Sequence, residues 1–152
     1  MATVEMRPRL AVASDREGVS ACVNAAYTPY IARMGVTPAP MLADDTDLIA
    51  RGLVYVLERE DAIVGVLVIE PKPGYLFLEN VAVHPDAQGL GFGRRLLVFA
   101  EEQARAAGLP EIRLYTNELM TENLALYPRV GYEETERRSE DGYRRVFMRK
   151  RL

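Results

Sequence analysis

The chain has 152 residues, 49% of them hydrophobic and 27% charged, which suits one globular domain with a sizeable core. A formal charge of −3 argues against a protein that grips nucleic acid through a general basic surface. A single cysteine excludes an internal disulfide and points to a reducing, cytoplasmic setting.

In chain order, RLAVA (9–13) reads as a short strand, and Ser14 with Glu17 has the spacing of a helix-capping box. Val19, Cys22, Val23, Ala26 and Tyr27 then recur at helical spacing, so that face is expected in the core. Pro29, Pro38 and Pro40 break up 27–41 and predict a long connection before a short helix near 45–51. LVYVLE (53–58), AIVGVLVIE (62–70) and YLFLENVAV (75–83) are three strand signals with tight links, an antiparallel meander. A helix over 92–107 is closed by Gly108 and Pro110, and EIRLYT (111–116) is another strand. Asn117 or Thr121 can cap a second helix running to Gly131 with a kink at Pro128, and a terminal hairpin turns at 139–142.

The order β-α-α-β-β-β-α-β-α-β-β predicts an α/β fold: one mixed, mostly antiparallel sheet of six to seven strands with helices on both faces, a single domain over 1–152. The apolar run 62–69 is far below what spans a bilayer, and MATVEMRPRL lacks the features of a signal peptide. The expectation is therefore a cytoplasmic protein with no membrane or nucleic-acid partner. No metal is expected, since one histidine and one distant cysteine make no ligand cluster.

The stretch AVHPDAQGLGFGRRLL (82–97) puts three alternate glycines and two arginines at a helix start, where unpaired N–H groups and the helix dipole favour an anion, most simply phosphate. A tight turn feeding a helix is the plainer alternative. A Walker A loop fails for want of its lysine and hydroxyl, and a dinucleotide fingerprint fits poorly because the loop follows a meander. Gln88, Gly91 and Gly93 instead meet the pattern Q-x-x-G-x-G. With LALYPRVGY (124–132) some forty residues on, the sequence resembles the GNAT superfamily of N-acetyltransferases over residues 9–150.

That resemblance implies acetyl-CoA as cofactor, its pyrophosphate on the backbone N–H groups of Gln88, Gly89, Leu90, Gly91, Phe92, Gly93 and Arg94, with Arg95 adding charge. It implies that Val81 and Val83, with Ala82 between them, pair with the pantetheine arm, and that Thr116 and Asn117 flank the gap from the other strand. Many members carry an asparagine where this chain has Met120, which leaves Asn123 and Asn117 as the nearby amides. Tyr127 is the candidate acid for the departing thiolate, or else an aromatic on an inner helix face. Glu79 is a candidate base, with His84 or water as alternatives.

The acceptor is expected to be a primary amine of a small molecule or peptide, near Tyr27, Tyr30, Met34, Met41 and Asp44; packing of the first helices onto the sheet is the alternative role for these side chains. Transfer is expected to be direct, without an acyl-cysteine. A non-enzymatic acyl-CoA-binding sensor and a dinucleotide-binding domain are the competing readings, and the terminal hairpin admits a homodimer.

Overall fold

The computed structural model describes residues 6–152. Seven strands form one sheet in the order β1-β2-β3-β4-β5-β7-β6. The strands are β1 (Arg9–Leu10), β2 (Val54–Arg59), β3 (Ala62–Lys72), β4 (Tyr75–Val83), β5 (Glu111–Asn117), β6 (Glu133–Glu140) and β7 (Tyr143–Arg151). The helices are α1 (Arg16–Met34), α2 (Asp45–Ala50), α3 (Phe92–Ala106) and α4 (Thr121–Arg129). β4 pairs with β5 in parallel, whereas β1–β2, β2–β3, β5–β7 and β6–β7 are antiparallel. The predicted α/β class and mostly antiparallel sheet are what the structure has.

Boundaries near the N-terminus differ from expectation, and the strand expected over 9–13 is only Arg9–Leu10. Ser14 does not start a helix; it lies in a short 3-10 turn, and the Asp15 carboxylate accepts the Val12 N–H at 2.8 Å while also taking two bonds from Arg9. The larger correction is that α1 runs through Pro29 and stops only at Gly35, which is left-handed (φ 72°) and donates its N–H to Ile31 O at 2.9 Å. A proline at that position forfeits one helical bond, to the carbonyl four residues back, and α1 tolerates the loss. Tyr27, Tyr30 and Met34 thus belong to a helix, and the connection shrinks to residues 35–44, with a 3-10 turn at Ala39–Leu42.

The chain divides into two compact units, one comprising residues up to Val68 plus Asn80–Phe99, the other Ile69–Glu79 plus Ala100–Leu152. In the first unit, β2 and β3 are covered on both faces: Val54, Val56 and Leu57 are buried, as is every residue from Val64 to Val68. A bulge interrupts the pairing of these strands. Leu57 pairs with Gly65 but Glu58 pairs with Ile63, so Val64 is the extra residue and alternation reverses there. Ile63 consequently packs at Gly18 of α1, and Gly65 packs at Leu96 of α3.

In the second unit, Ile112, Leu114 and Thr116 of β5 alternate inward with Val146 and Met148 of β7. Opposite them, Phe77, Tyr115 and Phe147 form a ladder across β4, β5 and β7, with ring centroids 5.8 and 5.5 Å apart. Arg113, Arg145 and Arg138 lie over Tyr75, Tyr115 and Phe147 at 4.1, 4.3 and 4.2 Å, beside an open groove of about 480 Å³. The outer strand β6 is exposed and laced with ion pairs such as Arg138–Glu136 and Arg149–Glu133, which makes a poor edge for strand addition.

Candidate functional site

Within the first unit, β4 leads through a short 3-10 turn (Pro85–Ala87) into the glycine loop and α3. His84 caps that turn, its Nδ1 accepting the Asp86 N–H at 3.1 Å, so the only histidine is engaged in turn geometry. Gly89 and Gly91 have φ of 80° and 83°, values that side chains disfavour, so the loop depends on glycine at both positions. The first helical bond of α3 runs from Arg95 N–H to Gly91 O at 3.1 Å. The N–H groups of Phe92, Gly93 and Arg94 therefore precede the helical ladder and point out of its positive end. This donor set fits a diphosphate.

Not every predicted group joins that set. The Gln88 amide already donates to Pro85 O at 3.3 Å, and Arg95 Nη1 donates to Met6 O at 3.0 Å. Gly93 is helical, with room for a Cβ, which would lie 3.7 Å from Val83 Cγ2. Its lack of a side chain matters for approach from outside rather than for packing. Leu90 is exposed, whereas Phe92 is buried under the Arg59 guanidinium.

The end of β4 is aligned by one diagnostic bond: His84 N–H donates to Val64 O of β3 at 2.8 Å. By the strand period of two, residue 82 also faces β3, while the N–H and C=O groups of Val81 and Val83 face the opposite edge. Both outward carbonyls are met by side chains. Gln88 Nε2 donates to Val83 O at 3.2 Å, and the Tyr27 hydroxyl lies 3.2 Å from Val81 O and 2.7 Å from Asn80 Oδ1. Ala82 between them is buried.

The other acceptor-pocket candidates are spread along α1 and the following connection. Tyr30 is half-buried with its ring 6.3 Å from that of Tyr27 and under Arg33. Met34 and Met41 are half-buried, and Asp44 caps α2 by accepting the Asp47 N–H at 3.1 Å. Cys22 is 1% exposed, and burial pushes its thiol up to about 11, partly offset by a backbone hydrogen bond from His84.

In the second unit, Thr116 is buried at the end of β5, its hydroxyl accepting from Asn123 Nδ2 at 3.2 Å. The same Asn123 amide reaches Met120 Sδ at 3.6 Å, so Asn123 and Met120 form one cluster with Thr116. Asn117 folds back, its Oδ1 accepting the Leu119 N–H at 2.9 Å and its carbonyl the Met120 N–H at the same distance. Tyr127 is buried on α4 and meets Tyr132 edge-on at 5.5 Å. Burial, then Tyr127 and Glu101, drive the Tyr132 phenol far above its ordinary range, and its hydroxyl has no hydrogen-bond partner among the described residues. Glu79 is half-buried and its charge, after burial and against Arg145, helps to raise the Tyr115 phenol.

Asn80 is the residue that sequence reasoning passed over. Its signal was there: a polar side chain between Glu79 and Val81 in an otherwise apolar strand, buried at 7% exposure. Among the described residues, no group of three or more His, Cys, Asp or Glu could hold a metal, and no helix is long and apolar enough to cross a membrane.

Comparison with known proteins gives the same frame. An IAA acetyltransferase from Azospirillum brasilense is 36% identical over 81 residues, covering 52% of this chain and 53% of that protein. A mycothiol acetyltransferase from Thermomonospora curvata is 34% identical over 82 residues, covering 52% of this chain and 27% of its own length. The chain thus spans about half, or less, of the curated relatives it matches. The PaiA N-acetyltransferase of Thermoplasma acidophilum, solved with coenzyme A, superposes with a TM-score of 0.81 at 15% identity over 98% of this chain and all of its own. YncA of Salmonella typhimurium, a putative acetyltransferase solved with acetyl-CoA, gives 0.74 at 19% identity, covering 98% of this chain and 95% of its own. The model of the acetyltransferase (GNAT) domain matches residues 50–134, and with more than half of its length inside that match the chain belongs to the GNAT acetyltransferase family.

Proposed function

We propose that this chain is an acetyl-CoA-dependent N-acetyltransferase acting on a primary amine of a small molecule or peptide, by direct transfer within a ternary complex. The observation that carries the reading is the run of helix-start amides at Phe92, Gly93 and Arg94 behind two left-handed glycines. The coenzyme A and acetyl-CoA held by the Thermoplasma and Salmonella proteins support the same ligand here.

Bound acetyl-CoA supplies an acyl group activated as a thioester. The amides of residues 89–94 and the Arg94 side chain bind its diphosphate, and the outward N–H groups of Val83 and Val81 receive the pantetheine arm and the thioester oxygen. The acceptor amine forms the new C–N bond as the C–S bond breaks. Tyr127 gives its phenolic proton to the departing sulfur, and Glu79, directly or through water, takes the proton lost by the amine. Thr116, Asn117 and Asn123 belong to the cofactor side of this proposal, and Tyr30, Met34, Met41 and Asp44 to the acceptor side. Cys22 supports direct transfer: it is the sole cysteine, its thiol is buried, and at neutral pH it is overwhelmingly protonated.

The test is release of free thiol from acetyl-CoA across an amine panel, with calorimetry against coenzyme A and NAD. Saturable acetyl-CoA binding with turnover on at least one amine supports the reading. Binding without turnover favours the sensor alternative, and NAD binding alone overturns the cofactor. Tyr127→Phe is expected to lower kcat at least tenfold with acetyl-CoA affinity kept; unchanged turnover removes Tyr127 from the chemistry. A homodimer remains a separate proposal, read by sedimentation, and the charged β6 edge directs any such contact away from strand pairing.

A further inference from the structure

We propose that Tyr27 and Gln88 are positioning residues for acetyl transfer: their side chains stand in for a missing neighbour strand along β4, fixing the outward peptide groups of Val81 and Val83. The inference rests on the acetyl-CoA reading above.

A strand keeps its pleat because each peptide group is bonded to a neighbour on both edges. At 81–83 one edge of β4 is aligned to β3 through the His84–Val64 bond. On the other edge Val83 O accepts from Gln88 Nε2 at 3.2 Å, and Val81 O shares the single Tyr27 hydroxyl proton, 3.2 Å away, with Asn80 Oδ1 at 2.7 Å. Tyr27 and Gln88 come from opposite directions, one from α1 and one from the loop just past the strand, and they take alternate carbonyls of the same edge. Val81 and Val83 present N–H groups on that edge. With these contacts fixing the peptide planes, the two N–H groups meet a ligand as oriented donors, which is what a thioester oxygen gaining negative charge requires.

The Tyr27 contact is built, not incidental. Asn80 is a polar residue in mid-strand, buried at 7% exposure, and Tyr27 is 8% exposed; burying both polar groups is costly unless they bond each other. They do so at 2.7 Å, across 53 residues of sequence. Asn80 thereby holds the Tyr27 hydroxyl beside Val81 O. α1 is thus tied to β4 beside the proposed donor group of Val81.

The test compares Tyr27→Phe, which keeps the buried ring, with Gln88→Met, an exposed near-isostere that cannot donate. Each is expected to lower kcat about tenfold or more, as slight misplacement of reacting groups does, with the amine KM within twofold of wild type. Calorimetry adds a signature that lost stability would not give. Tyr27→Phe reduces the preference for acetyl-CoA over coenzyme A, because Val81 meets the acetyl end. Gln88→Met weakens both ligands equally, because Val83 meets the arm. A rise confined to the amine KM in Tyr27→Phe overturns the proposal and makes Tyr27 a pocket wall. Unchanged kcat and unchanged ligand preference overturn it while leaving the transferase reading intact. Failure of the wild type to bind either ligand removes both. Should Tyr27→Phe not fold, Gln88→Met decides alone: a kcat within twofold of wild type overturns the proposal.

Discussion

Replacing Tyr132 by phenylalanine should stabilise the protein, whereas buried Tyr→Phe changes usually cost stability. The ring is 3% exposed and packs edge-on against Tyr127, contacts that phenylalanine keeps. The hydroxyl is different: it is buried without a hydrogen-bond partner among the described residues. Leaving a buried hydroxyl unsatisfied costs roughly 1–3 kcal/mol, partly offset by the small void its removal leaves, so a net gain of about 1 kcal/mol is expected. For a domain of this size that is about 2–4 °C in Tm, or a matching shift of the urea midpoint at constant m. Thermal and urea unfolding of the ligand-free proteins measure it. A loss of 1 kcal/mol or more in Tyr132→Phe would mean that the hydroxyl is satisfied after all, by an internal water, and would refute the reasoning. The proton state is not in question, since burial holds this phenol neutral throughout the working range.

Gly93→Ala separates stability from binding: a Cβ there meets only Val83 at 3.7 Å and favours a helix, so Tm should hold or rise while acetyl-CoA affinity falls at least tenfold in calorimetry. Gly91→Ala should lose both, because its φ of 83° adds strain of about 1 kcal/mol to any side chain. Cys22, pushed up to about 11, should resist thiol reagents at pH 8 in the native state and react at once in denaturant. The sign for stability follows: its contribution is complete below about pH 8.5, the usual thiol value, and declines as pH rises through the folded value, which a serine or alanine variant would not show. Asp15 is held below the usual carboxylate range, first by its bonds to Arg9, so that part of the stability is present at neutral pH and is lost as pH falls below about 4; Arg9→Met should flatten this acid limb of an unfolding-versus-pH series.

The strands and the glycine loop could be read from sequence because local signals and long-range packing agree there. YLFLENVAV alternates with the burial it receives, and DG at 141–142 forms the turn its composition suggests. The misreadings occurred where a distant partner decides. Ser14 and Glu17 have the right spacing, yet Asp15 orders the turn because Arg9, anchored also to Glu58, reaches it. Pro29 carries a strong local penalty, but α1 is tied to β4 through Tyr27 on one side and runs to a glycine stop on the other. The bulge at Val64 is equally invisible in AIVGVLVI, a run apolar enough to suit either register. The Tyr27–Asn80 bond joins residues 53 positions apart, and no periodicity reports such a pairing.

Glu79 and Asn80 are the two polar residues in the middle of a nine-residue strand whose other positions are apolar or aromatic. Strand preference and burial both oppose such a pair, so its presence calls for a compensating gain. Asn80 is compensated structurally, by the Tyr27 hydroxyl that also touches the next carbonyl. Glu79 is half-buried, and its charge adds to the burial that raises the Tyr115 phenol. Local rules are thus broken at two adjacent positions, immediately before the backbone donors assigned to the thioester. Proteins depart from local preference where chemistry requires it. The pair in β4 is thus where the proposed transfer site meets the strand, Asn80 through its bond to Tyr27 and Glu79 as the proposed base.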